Sequence, residues 1–278
     1  MLDLNELPSD DPRGKDLPPR VRRFLTGANP LVTVTIVGMP NSASRSIPVS
    51  RTMGGMIESY KHGIYLVMTC RHSLQDWMQK PHETIAAFSG PGVTMLRVIG
   101  QPIFDPEQES DVAFLLVQDR SQARVNPFIL TQQDFPITGQ TLYSSANRCD
   151  PIKSVFEILR TQQIDAREIC WRGLYKASEK TKHFIGEGDT EQLEQLRSEG
   201  WRPCRILQMI SRPSFSGSPV WDARIRLVGM NIGGSEPGTE THKSRGDVAI
   251  CIPASELFEA RRRVDPVIKA NLAQLVRR

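Results

Sequence analysis

Between residues 31 and 117 the chain sets down one short apolar or β-branched run after another, each bounded by Gly, Pro, Asn, Asp or Ser. The runs are LVTVTIVGM, GGMIESY, GIYLVMTC, ETIAAFS, TMLRVIG and DVAFLLV. Val, Ile, Thr and aromatic side chains pack well on a pleated backbone, and the turn residues between the runs break each one before it lengthens. About six strands at this spacing read as an all-β barrel or sandwich. A second set follows: QTLYSSA, KSVFEILRTQQI, CRILQMI, PVWDA, IRLVGMNI and VAICIPA. The chain is therefore expected to hold two β halves of similar size, with a linker near residues 118–140.

Three segments depart from this pattern. Residues 1–28, rich in Asp, Pro, Arg and Gly, are expected to form a flexible arm. Within the second half, the charged stretch of about residues 172–202 contains TEQLEQLRSEG, which has helical spacing and a Gly stop, and reads as a partly helical insertion or long loop. Residues 254–278 are helical by pattern, with Pro266 expected to break or kink the helix.

A chain of 278 residues with 39% hydrophobic and 24% charged residues can bury a substantial core. The net charge of +4 is small, and residues 254–278 hold six basic against three acidic side chains, so the main body lacks the wide basic face of a nucleic-acid binder. The five cysteines are scattered and odd in number, and no Cys/His spacing suggests a zinc site, so no metal or cofactor is expected. Scattered thiols fit a reducing compartment, and with no signal-like or membrane-length apolar stretch the expectation is a cytoplasmic protein without a membrane contact. His62, His82, His183 and His242 fall in polar loops without paired ligand spacing, and Lys176, Lys180 and Lys182 read as a solvated face. The Arg261–Arg263 triplet reads as capping or flanking a helix, with binding of a nucleic acid or an acidic partner, such as a partner protein on the basic C-terminal helix, as the alternative.

The stretch PSFSGSPVWD places a hydroxyl-rich turn directly before a strand. Alone, Ser216 is a turn serine, Asp111 a turn former opening a strand, and His72 a structural histidine where a strand ends and a loop begins. Taken together they offer a different chemistry. A serine hydroxyl becomes a useful nucleophile when an imidazole takes its proton, and a carboxylate then holds the imidazole in the correct tautomer. The chain order His72, Asp111, Ser216 divides the three between the halves, two in the first and one in the second.

On these residues the chain resembles the trypsin-like serine proteases of the chymotrypsin fold, nearer to HtrA-type and other bacterial non-zymogen members than to digestive enzymes. VMTCRH resembles the family's T-x-x-H strand end, SDVAFLLV its D-[IV]-A-[LV]-L strand, and SFSGSPVWD its G-x-S-G-[GS]-P-[VL] turn. RLVGMNIGG resembles the strand that carries substrate, SRTMGGMIES the small-residue strand before the histidine, and GDVAICIPASEL the last strand leading into the closing helix. The resemblance spans roughly residues 30–260. It implies two antiparallel six-stranded β-barrels with a C-terminal helix, the first over residues 29–125 and the second over 126–258. It further implies a serine endopeptidase acting on protein or peptide substrates, with Ser216 as nucleophile, His72 as general acid/base and Asp111 orienting His72. The backbone N–H groups of Ser214 and Ser216 would form the oxyanion hole. Ile210 would form the floor of the specificity pocket, suiting an uncharged, apolar side chain. Asn231, Ile232 and Gly233 would pair with extended substrate.

Two departures matter. The family carries Gly where this chain has Ser214, and a Cβ there leaves two outcomes: a hole completed only on substrate binding, or an inactive module of the same fold that binds extended peptides or a protein partner. Phe215 stands where zymogen-type members have an Asp that pairs with a freshly cut amine, and Ile36–Gly38 reads as strand core rather than an activation site. Activity is therefore expected without N-terminal cleavage.

Overall fold

The six expected strands of the first half all form, and they close on themselves. In the computed structural model, which describes residues 17–40, 50–79, 83–90, 94–107, 110–121, 125–132, 141–150, 155–165, 170–177, 182–186, 190–207, 209, 211, 215–234 and 249–276, these strands are β1 (Thr33–Pro40), β2 (Ser50–Tyr60), β3 (Ile64–Cys70), β4 (Glu83–Ser89), β5 (Thr94–Phe104) and β6 (Val112–Gln118). Their order is β1-β2-β3-β6-β5-β4, and β1 pairs antiparallel with β4 to complete a barrel without a free edge. β3 and β6 are apolar along nearly their whole length and are buried residue after residue, since one face fills the barrel and the other is covered by the rest of the chain.

The second half is a nine-stranded sheet, larger than the six strands expected. It comprises β7 (Ile129–Leu130), β8 (Thr141–Asp150), β9 (Val155–Asp165), β10 (Cys170–Ala177), β11 (Lys182–Gly186), β12 (Arg202–Leu207), β13 (Pro219–Asp222), β14 (Arg226–Gly234) and β15 (Ala249–Pro253). The charged stretch near 172–202 supplies β10, β11 and the helix α4 (Thr190–Ser198), and β10 is a ladder partner of β12. Segment 118–140 likewise supplies β7, which pairs parallel with β14.

The arm expected over residues 1–28 needs correction, since Leu17, Val21, Phe24 and Leu25 are buried in the core and Ala28 packs against it; residues 1–16 lie outside the described residues. Helix α1 (Pro19–Thr26) starts with Pro at its first position, where the missing N–H costs nothing and φ is already helical. Val21, Phe24 and Leu25 recur at i, i+3 and i+4 and are all buried. Phe24 meets Phe128 edge-on at 5.6 Å and Trp221 at 4.9 Å, and Trp221 stacks on Tyr143 at 5.0 Å. The helix thus packs on aromatic side chains of the second half, and the Phe128 N–H in turn donates to Met56 O on β2 at 2.8 Å. Next to it, buried Asn29 in helix α2 (Asn29–Val32) accepts hydrogen bonds from Thr33 Oγ1 at 2.9 Å and Ser145 Oγ at 3.0 Å, tying β1 to β8.

The closing helix α5 (Ala254–Val276) runs on through Pro266, so the expected break does not occur. The carbonyl that loses its donor belongs to Arg262, whose side chain is 69% exposed, so water can take the place of the missing N–H. Buried Val264 and Ile268 on either side hold the helix to the body. Its basic triplet lies inside the helix rather than flanking it. Arg261 bonds Glu58 on β2 at 2.7 Å, and Arg263 bonds buried Asp105 at 2.7 Å, so two of the three arginines dock the helix onto the first barrel.

Phe24→Ala is expected to cost about 3–5 kcal/mol, as for other large aromatic deletions in a packed core. Urea denaturation of the full chain followed by Trp fluorescence measures this, and a loss under about 1 kcal/mol would contradict the packing of Phe24 against Phe128 and Trp221.

Candidate active site

His72 does not begin a loop. It is the second residue of a short helix, α3 (Arg71–Met78), held to the barrel by buried Leu74 and Trp77 at i and i+3. This corrects the expected strand-to-loop placement: the local pattern LQDW is already helical, and Cys70 with ψ of 135° gives the chain an extended entry into the helix. The helix start points the His72 backbone N–H at Asp111 Oδ1, 2.8 Å away. The imidazole Nδ1 lies 3.0 Å from Asp111 Oδ1 and 2.8 Å from Oδ2. A carboxylate is an acceptor only, so Nδ1 carries the ring proton and Nε2 is left with its lone pair. The Asp111 side chain is 1% exposed and that of His72 40%: an enclosed anion orients a base that opens to solvent.

Asp111 is held from several directions. Its backbone N–H donates to the Tyr175 hydroxyl at 3.3 Å, and its carbonyl accepts from the Arg71 N–H at 3.2 Å. The Arg71 guanidinium donates to the carbonyls of Asp105 and Glu107, both at 3.1 Å. Glu107 is paired with Arg202 of β12 at 2.9 Å, and Asp105 with Arg263 of α5. The segment leading into Asp111 is therefore fixed by the second sheet and the C-terminal helix as well as by its own barrel. Burial raises the Tyr175 hydroxyl well above its ordinary value, and the nearby Asp111 charge raises it further, so the phenol stays protonated. Burial alone would raise Asp105; hydrogen bonds from Arg263 and Ser110 outweigh it and hold the carboxyl below its ordinary value of 3.8.

Ser216 and Gly217 form a tight turn laid against β2. The Ser216 carbonyl accepts from the Met53 N–H and from Thr52 Oγ1, both at 2.7 Å. Gly217 sits at φ +86°, and a Cβ there would come within 1.9 Å of Met53 O. Glycine is thus demanded twice, by the dihedral angle and by the approach of the first barrel. On its other side the turn is fastened to β14: the Gly217 N–H donates to Asn231 O at 2.7 Å, and the Asn231 N–H to Ser218 O at 3.0 Å. Asn231 O also accepts from Cys70 Sγ at 3.6 Å, and Cys70 lies two residues before His72. The topology so brings Ser216 and the His72–Asp111 pair to one junction between the two halves.

The hydrogen bond expected between serine and histidine is not made among the described residues. Ser216 Oγ donates to Ile232 O at 3.4 Å, and among the described residues no hydrogen bond joins it to His72. The Ser216 N–H has no acceptor among the described residues. Ser214 and Ile210 lie outside the described residues.

Of the segment expected to meet substrate, Asn231 is differently employed. It is fully buried, and both of its backbone polar groups are taken up by the Ser216 turn. Its side-chain amide donates to Ser211 Oγ at 3.0 Å and Phe215 O at 3.2 Å, and its Oδ1 accepts from the Gly233 N–H at 3.0 Å. Asn231 is a brace rather than an edge for a ligand. The Ile232 side chain is buried, and β13 reaches along β14 only as far as Met230. Phe215 is buried and Ile36 lies inside the closed barrel. Tyr175, Arg71 and Arg263 carry no motif; partnership with Asp111 or its leading segment depends on contacts 34 to 158 positions apart, which spacing does not reveal.

Solved structures are similar to this chain at low identity. The protease domain of MamO from Magnetospirillum magneticum, in its apo form, is 15% identical with a TM-score of 0.50, covering 84% of this chain and 97% of its own. The active form of the Rv3671c protease from M. tuberculosis is 12% identical with a TM-score of 0.53, covering 92% and 87%. The inactive form of a serine-to-alanine mutant of Rv3671c is 14% identical at 0.51, covering 93% and 95%. No family model matches the sequence, and no curated protein does either. The closed barrel, second sheet and C-terminal helix are thus those of the trypsin-like, chymotrypsin-type fold.

The Asp105–Arg263 pair carries a pH signature. Because the Asp105 carboxyl is depressed, its stabilisation is complete above the ordinary value of 3.8 and is lost as pH falls through the lower folded value. Arg263→Ala leaves a buried carboxylate without its cation, at a cost of about 3–5 kcal/mol near neutral pH. In urea melts the gap between wild type and variant should hold down to about pH 5 and narrow below about pH 4; a gap that widens on acidification would contradict the pairing.

Proposed function

We propose that the chain is a serine endopeptidase that cleaves peptide bonds through an acyl-enzyme on Ser216. The observation that carries this reading is the His72–Asp111 pair, with Nδ1 at 2.8 Å from a buried carboxylate, and with Cys70, two residues before His72, bonded to the Asn231 carbonyl that fastens the Ser216 turn. In the proposed reaction Ser216 Oγ attacks the scissile carbonyl carbon and its proton passes to His72 Nε2. Asp111 stabilises the imidazolium, which then protonates the leaving amine. A water deprotonated by His72 hydrolyses the ester and restores the serine. The Ser216 N–H is one donor to the developing oxyanion and the Ser214 N–H the second, each worth roughly 3 kcal/mol. The Ser216 hydroxyl must first turn from Ile232 O toward His72.

Extended substrate would add along β14 from Ile232 to Gly234, beyond the end of β13, using main-chain hydrogen bonds. An apolar floor at Ile210 would select an uncharged side chain. The buried thiols Cys70, Cys204 and Cys251 suit a reducing setting such as the cytoplasm, and no described helix is long and apolar enough to cross a membrane.

The Ser216–Ile232 bond favours a second reading, a catalytically silent module that holds an extended peptide at the same edge. A fluorophosphonate probe read by intact-mass spectrometry separates the two. The peptidase reading expects one covalent adduct, absent in Ser216→Ala and formed about 10⁴-fold more slowly in Asp111→Asn. An unlabelled wild type that binds an extended peptide with an affinity unchanged by His72→Ala would establish the binding module instead.

A further inference from the structure

No metal-binding spacing is present in the sequence, yet the fold gathers a thiol, an imidazole and a carboxylate at one point. One ligand-capable atom from each of Cys70, His72 and Asp111 lies within 4.8 Å of the other two. Cys70 ends β3, His72 is the second residue of α3, and Asp111 leads into β6, whose pairing with β3 sets Cys70 opposite Val112. The Cys70 thiol and the Asp111 carboxyl are buried, and the imidazole at 40% exposure provides the route from solvent.

We infer that this cluster is a binding site for one thiophilic divalent cation, Zn²⁺ or Cd²⁺, which switches the site off. Metal bonds of about 2.0–2.3 Å in tetrahedral geometry set ligand atoms roughly 3.3–3.8 Å apart. His72 Nδ1 and Asp111 Oδ2, at 2.8 Å, need only open slightly, while Cys70 Sγ moves in by about an ångström at most. The donor set selects the ion. A thiolate and an imidazole suit zinc-like cations, whereas Mg²⁺ and Ca²⁺ require more ligands and all-oxygen shells. Binding releases the Cys70 thiol proton to solvent and involves no electron transfer. Thiolate and carboxylate together neutralise the dication, so no net charge is left enclosed. A water fills the fourth position.

The consequence for the base follows from imidazole chemistry. A neutral ring that gives Nδ1 to a metal carries its proton on Nε2 and cannot accept one from Ser216; a ring that gives Nε2 has no lone pair left there. Either mode removes the general base and takes Asp111 away from it. This inhibition rests on the serine-peptidase reading, whereas the binding itself does not.

Cobalt(II) added to the full-length chain tests the site through its spectrum. The expected result is a thiolate-to-cobalt charge-transfer band at one equivalent, chased by Zn²⁺ but not by Mg²⁺, and retained in Ser216→Ala. Cys70→Ala should lose the band and bind Zn²⁺ more than about 100-fold more weakly, beyond what an outer-shell partner contributes. Should Cys70→Ala fail to fold, judged by its melting in the absence of metal, Asp111→Asn should keep the band at a similarly weakened affinity. No band in wild type, a band unchanged in Cys70→Ala, or undiminished affinity in Asp111→Asn overturns the site. Where hydrolysis is measurable, the zinc concentration for half-inhibition should rise more than about 100-fold in Cys70→Ala; zinc bound without inhibition overturns the switch. A chain that never hydrolyses peptide leaves the cobalt result to decide the site, so the two readings fail separately.

Discussion

The two 2.7 Å hydrogen bonds that the Ser216 carbonyl accepts from Met53 and Thr52 are the contact on which the rest of the structure depends. They join a turn of the second sheet to a strand of the first barrel, and their geometry leaves no space for any side chain at position 217. Around that contact the chain commits a series of further links. Asn231 bonds both sides of the turn, Thr69 bonds Met53 O from β3, and the Phe24–Trp221–Tyr143 stack fills the volume behind. A displacement of the two halves would break backbone hydrogen bonds in a buried setting, where each lost partner costs about 1–3 kcal/mol.

This rigidity explains how a half-exposed histidine keeps a fixed orientation. His72 is on a short helix of only eight residues, which would be marginal in isolation. Its position is set by its own N–H and ring nitrogen, both bonded to one carboxylate, and by Arg71, which grips the segment approaching that carboxylate. The C-terminal helix reaches the same segment through Arg263, and the second sheet through Arg202 and Tyr175. The His72–Asp111 pair is held from four elements, whereas the Ser216 hydroxyl is held by a single 3.4 Å bond to Ile232 O. The Ser216 hydroxyl is thus the adjustable member of the site, and in the proposed reaction it would have to turn from Ile232 O toward His72.

Much of the fold was legible because strands in a barrel alternate with turns on a short period, and the first six strands fell where β-branched runs and turn residues placed them. The His72 and Ser216 neighbourhoods were legible for a related reason: each is a local motif with a fixed backbone requirement, such as the positive φ at Gly217. What the sequence concealed was tertiary. β10 and β11 read as a charged loop because their polar residues obscure any alternation, and they become strands as β10 pairs with β12 and β11 with β10. Helix α1 looked like an arm because Pro and Arg dominate its composition, although three apolar residues suffice to bury one face. Arg261 and Arg263 looked like a surface because their carboxylate partners lie 203 and 158 positions away. Asn231 was read as a ligand edge, yet a buried amide with several partners serves as a brace.

The central claim is that the serine turn and the histidine–aspartate pair form one reacting unit across the junction. The most direct measurement is a crystal structure of the chain after reaction with a peptidyl phosphonate. The account predicts phosphorus bonded to Ser216 Oγ, His72 Nε2 within hydrogen-bond reach of a phosphonate or leaving-group oxygen, and the Met53–Ser216 contact unchanged at 2.7 Å. Phosphorus on any other residue, or an imidazole turned away from it with Nδ1 no longer on Asp111, would contradict the account.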